Sequence, residues 1–95
     1  MNFTLVKGKD FTEHFDFKNE QGKSIALPPG TFRVILERGE FVREYTVLNR
    51  GLSRLRNRIS WRIPAEESAS FDFTTMYYTL YLEDREITRG MLKIQ

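Results

Sequence analysis

The sequence contains no cysteine, one histidine and three prolines. Without cysteine there is neither a disulfide framework nor a thiolate metal site, so packing alone must hold the chain together. The one histidine, His14, has no carboxylate cluster at ligand spacing around it, which argues against a metal centre. No Gly-x-Ser-x-Gly turn supplies a nucleophile that His14 could activate. Glycine-rich phosphate loops are missing as well. No apolar run is long enough to span a membrane. The start, Met1-Asn2-Phe3-Thr4, has neither the basic residues nor the apolar stretch of a signal peptide. These absences lead us to expect a soluble, cytoplasmically made protein with no cofactor, no metal and no enzymatic activity.

What is present suits one small core. Ninety-five residues fit a single domain, 1–95. Hydrophobic residues make up 40% of the chain, and eight Phe, four Tyr and one Trp supply the bulk to fill the space between two sheets. The charged fraction of 29% mixes both signs and no low-complexity tract occurs, which excludes global disorder.

Period-two alternation dominates. Phe3 and Leu5 suggest a first strand, closed by Lys7-Gly8-Lys9-Asp10. In the next, Phe11, Phe15 and Phe17 share one face and Thr12, His14 and Asp16 the other, with Glu13 interrupting the apolar row. Asn19 to Gly22 reads as a turn. Ile25 and Leu27 precede Pro28-Pro29-Gly30, an edge or loop because proline cannot donate to a ladder. Phe32, Val34 and Leu36 alternate with Arg33, Ile35 and Glu37, and Gly39-Glu40 closes a hairpin to a strand over residues 41–48 of unassigned inward face. Residues 49–57 read as a basic loop. Ile59, Trp61 and Ile63 alternate with Arg58, Ser60 and Arg62, the pattern of a sheet with one wet face. Pro64 to Ala69 reads as a short helical turn, with Glu66 and Glu67 favourably placed at its start. Met76, Tyr78, Leu80 and Leu82 alternate with Tyr77, Thr79 and Tyr81, and Asp84-Arg85 leads to a last strand with a β-bulge expected at Gly90. About seven short strands and one helical turn predict an all-β antiparallel sandwich.

Two surface features stand out. Arg50, Arg54, Arg56, Arg58 and Arg62 fall in a stretch with no acid between Glu44 and Glu66. Guanidinium forks pair with carboxylates or phosphates, so this segment reads as a protein interface or as a solvated loop. Nucleic acid is disfavoured, because a net charge of +2 is small for a dedicated binder. Tyr77 and Tyr81 lie two strand-turns apart on the face opposite Met76 and Leu80. Outward tyrosines either make an interface or lie under a loop. A carbohydrate- or receptor-binding module is the alternative to a structural role, since glycans also dock on open aromatic rings.

The order of features resembles that of the small immunoglobulin-like β-sandwich domains in tailed-bacteriophage virion proteins, among them tail-tip collar, lateral-fibre connector and upper-baseplate proteins. The resemblance is carried by Phe3 to Val6, Gly8, the aromatic strand Phe11 to Phe17, the turn Asn19 to Gly22 and Ser24-Ile25-Ala26-Leu27. It continues through Ile59 to Ile63 with its Pro64-led helical turn, the Tyr-rich strand Tyr77 to Leu82 and Gly90-Met91-Leu92-Lys93-Ile94. It implies a structural subunit of a virion, placed in a tail, collar or fibre connector and assembled in the host cytoplasm. Such a subunit repeats in a homo-oligomeric ring or assembly, and the arginines and tyrosines named above would contact its neighbours.

Overall fold

The computed structural model describes residues 2–95. Eight strands and one helical turn follow in the order β1 (Phe3–Leu5), β2 (Phe11–Asp16), β3 (Phe32–Arg38), β4 (Phe41–Thr46), β5 (Leu52–Leu55), β6 (Arg58–Ile63), α1 (Ala65–Ser68), β7 (Thr75–Leu82) and β8 (Arg85–Ile94). They form two facing sheets, one ordered β1-β8-β7-β3-β4 and the other β2-β6-β5. The fold is an all-β sandwich, and in the small sheet β5 and β6 form a hairpin while β2 pairs with the other edge of β6. Every pairing is antiparallel except β1 with β8, where Phe3, Thr4 and Leu5 lie beside Leu92, Lys93 and Ile94 in parallel.

The alternation read from sequence places the core. Phe32, Val34 and Leu36 of β3, Met76, Tyr78, Leu80 and Leu82 of β7, and Ile59, Trp61 and Ile63 of β6 are all buried. Trp61 is the hub: its ring lies 5.1 Å from Phe11, 5.4 Å from Tyr78, 5.6 Å from Tyr45 and 6.4 Å from both Phe3 and Phe15, so it joins β2, β4 and β6 to β1 and β7. Its Nε1–H has no hydrogen-bond partner among the described residues. An orphaned donor costs about 1–3 kcal/mol. Burying an indole of about 250 Å² contributes about 6 kcal/mol, which outweighs that cost.

Several local expectations are corrected. The segment 49–57 is not wholly a loop. Leu52–Leu55 forms β5, because Leu52 pairs with Trp61 and Ser53 with Ser60 in register. The stretch from Ile25 to Gly30, expected as an edge or loop, is a loop, in which the Ile25 and Leu27 amides donate to Phe17 O and Arg56 O at 3.1 Å each. The irregularity in β8 is not at Gly90, which pairs in register with Tyr78. It falls at Ile87, between Glu86 opposite Tyr81 and Thr88 opposite Leu80. The extra residue there turns Ile87 toward the core, which it joins as a partly buried side chain. The inward face of β4 is that of Tyr45, which is buried, and Val42 points outward.

The turns at Gly22 and Gly39 take positive φ, +79° and +58°, as their sequence context requires. The helical turn α1 is held from outside: Ala65 N donates to Asp10 Oδ1 at 2.8 Å. Ser68, fully buried, accepts from Gly8 N at 3.0 Å and donates to Lys9 O at 2.9 Å. These bonds fasten the β1–β2 turn to the end of β6. Among the described residues, no helix is long and apolar enough to cross a membrane.

Candidate functional site

The two outer faces of the sandwich differ in chemistry. On the three-stranded sheet, Thr12, His14 and Asp16 of β2 stand beside Arg62, Ser60 and Arg58 of β6. Apart from Leu55 of β5, which pairs with Arg58 and is 69% exposed, that face is polar and bonded within itself: His14 Nδ1 lies 2.8 Å from Ser60 Oγ, and Arg58 grips both oxygens of Asp16 at 2.7 and 3.2 Å. The Arg58 guanidinium holds the Asp16 carboxyl below its ordinary value.

The five-stranded sheet presents a mixed face instead. Strand pairing sets Val42, Glu37, Tyr77 and Met91 side by side across β4, β3, β7 and β8. Three of these four are large and apolar or aromatic, and they are 58%, 48% and 42% exposed for Val42, Tyr77 and Met91. The neighbouring row is Glu44, Ile35, Thr79 and Arg89, and the next is Thr46, Arg33, Tyr81 and Glu86. An open groove of about 470 Å³ runs along Glu37, Tyr77, Thr79, Arg89 and Met91. This face therefore mixes half-exposed apolar side chains with charges of both signs, Glu37 within the row and Glu44 and Arg89 beside it.

The seven sequence-predicted contact residues do not converge. Tyr77 and Tyr81 lie on the face just described. Arg33 covers the Tyr81 ring at 4.6 Å, and Arg38 lies 6.0 Å from the Tyr77 ring centre. Arg58 and Arg62 lie on the opposite face, Arg58 engaged with Asp16 and Arg62 3.8 Å from Asp10. Arg54 reaches across the core edge, donating to Gly30 O at 2.7 Å and Pro28 O at 3.1 Å with its guanidinium 5.2 Å from the Phe32 ring. It anchors the proline loop. Arg50 and Arg56 occupy turns with φ of +66° and +56°, and their side chains are exposed. Arg50 and Arg62 share an open cavity of about 280 Å³ that also includes Arg43, Tyr45 and Glu67.

In that cavity the Tyr45 hydroxyl donates to Glu67 Oε2, and Arg43 pairs with Oε1 of the same carboxylate at 3.0 Å. Burial, reinforced by the bonded carboxylate, pushes the Tyr45 phenol far above its ordinary value. The Tyr78 phenol is raised by burial and by the charge of Glu13. A phenol held protonated and bonded to a carboxylate already neutralised by arginine is a structural joint. It offers no free base or nucleophile. Among the described residues no group of three or more His, Asp or Glu is placed to hold a metal ion.

Sequence reading missed Val42 and Met91. Their signal was present, since Val42 has the opposite parity to Tyr45 and Met91 to Leu92, but only the pairing of β4, β3, β7 and β8 aligns them with Tyr77. Comparison of the chain with protein-family models, with curated proteins and with solved structures finds no match.

Proposed function

We propose that this chain is a structural subunit of a bacteriophage virion, in a tail, collar or fibre connector. It acts by binding neighbouring virion proteins through the outer face of its five-stranded sheet. The virion class rests on the resemblance in feature order, with which a two-sheet all-β sandwich is compatible. The observation that carries the binding surface is the row in which Val42, on the far side of Glu37, lines up with the neighbours Tyr77 and Met91, all three about half exposed. Sheet faces that stay in water are ordinarily polar, and three large exposed side chains in one row of such a face, with Glu37 between Val42 and Tyr77, favour a partner.

The glycan-binding alternative needs bare ring faces, and Arg33 lies over Tyr81. The tyrosine pair therefore favours protein contact. The test is capture of tail, collar and fibre proteins of the same phage by the immobilised full chain, with and without Tyr77→Arg. Capture of a virion protein that Tyr77→Arg abolishes supports the reading. Absence of any virion protein, or capture indifferent to the substitution, overturns it.

A further inference from the structure

We propose that the outer face of the five-stranded sheet pairs with the same face of a second copy of this chain. The twofold axis lies in the interface and runs parallel to the strands, between β3 and β7. The inference rests on reading this face as a protein-binding surface and goes on to name its occupant.

The charge pattern decides the geometry. Across the sheet, one row reads Glu44, Ile35, Thr79, Arg89, with opposite charges at its two ends. Turning a copy over about an axis parallel to the strands lays its β8 over β4 and its β7 over β3. Glu44 of each copy then faces Arg89 of the other, at both ends of the interface. In the adjoining row Val42 faces Met91, and Glu37 faces Tyr77, whose hydroxyl can donate to the carboxylate. Turning the copy about an axis perpendicular to the strands does the opposite, setting Glu44 on Glu44 and Arg89 on Arg89. Like charges brought together at an interface repel, so the first arrangement is favoured.

The ends of the row are free to re-pair. Glu44 is 3.5 Å from Arg33, and Arg89 is 3.8 Å from Glu86, in exposed bonds of little worth. Facing sheets pack about 10 Å apart, which long side chains at both ends can bridge. Four strands at about 4.8 Å spacing and six residues at about 3.4 Å give a footprint of roughly 400 Å² on each copy. That places the pair among small, transient interfaces.

Sedimentation velocity of the full chain over a wide concentration series tests the pairing. Four forms are compared: wild type, Glu44→Arg, Arg89→Glu and the double exchange, each checked for folding by circular dichroism. The expected result is a concentration-dependent dimer in the wild type, weakened at least tenfold by either single reversal and restored by the double exchange. A wild type that stays monomeric throughout overturns the pairing, while capture of virion proteins sensitive to Tyr77→Arg would leave the binding surface standing. A dimer indifferent to the single reversals, or one not restored by the exchange, overturns the twofold geometry.

Discussion

The Tyr45 hydroxyl donates to the Glu67 carboxylate, tying β4 at the edge of the large sheet to the helical turn that follows the centre of the small one. Arg43 binds the other oxygen of the same carboxylate, so the joint has three members. Hydrogen bonds to charged groups contribute about 1.5–3 kcal/mol, and Tyr45→Phe is expected to lower stability by that amount in urea unfolding.

The same joint sets an alkaline limit. The Tyr45 phenol is raised above its ordinary value of 10.0 in the folded chain, so the unfolded chain loses that proton first. Its contribution is fully present below pH 10 and is lost as pH rises beyond it. Unfolding monitored above pH 10 should therefore be steeper in wild type than in Tyr45→Phe. Equal pH dependence of the two would show that the phenol ionises alike in both states.

At the acid end, Arg58 depresses the Asp16 carboxyl below its ordinary value of 3.8. The contribution of this pair is present above that value and disappears as pH falls through the lowered one. Asp16→Asn is expected to flatten the loss of stability below about pH 4, with little change near neutrality because the pair is exposed. A melting-temperature series against pH reads this directly.

The connection between the sheets leaves no room at Gly51. A Cβ there would meet Tyr45 Cδ1 at 2.7 Å and Tyr45 Cβ at 2.8 Å. Asn49 holds the same turn, its Oδ1 accepting from Thr46 N and Gly51 N at 2.9 Å each and its Nδ2 donating to Glu44 O at 2.9 Å. Gly51→Ala and Asn49→Ala should each cost about 1–3 kcal/mol in denaturant unfolding. Leu48, 97% exposed just before Asn49, should tolerate Leu48→Ser within about 0.5 kcal/mol.

The buried half of the fold was legible in the chain because alternation is a local property. Val34, Trp61, Tyr78 and their neighbours are buried wherever they end up, and their parity says so. What depends on pairing was not legible. Leu52-Ser53-Arg54-Leu55 carries no clean alternation and becomes a strand only because β6 offers it a ladder. The arginines looked like one basic segment, yet a strand sends successive residues to opposite faces, and Asp16 and the carbonyls of Pro28 and Gly30 come from distant positions to engage Arg58 and Arg54. Glu67 was read as a helix-start acid, and nothing local reveals that Tyr45 arrives beside it. The apolar row of the candidate surface belongs to the same class, since its members come from residues 42, 77 and 91.

The central claim is that the outer face of the five-stranded sheet, and not the polar face opposite, is where partners bind. The most direct measurement is the affinity of the full chain for tail, collar and fibre proteins in three forms: wild type, Val42→Lys with Tyr77→Arg, and Thr12→Lys with Ser53→Arg on the opposite face. The account predicts at least tenfold weaker binding for the first variant, none of it traceable to unfolding, and unchanged binding for the second. Binding lost only with the second variant, or equal in all three, would contradict it.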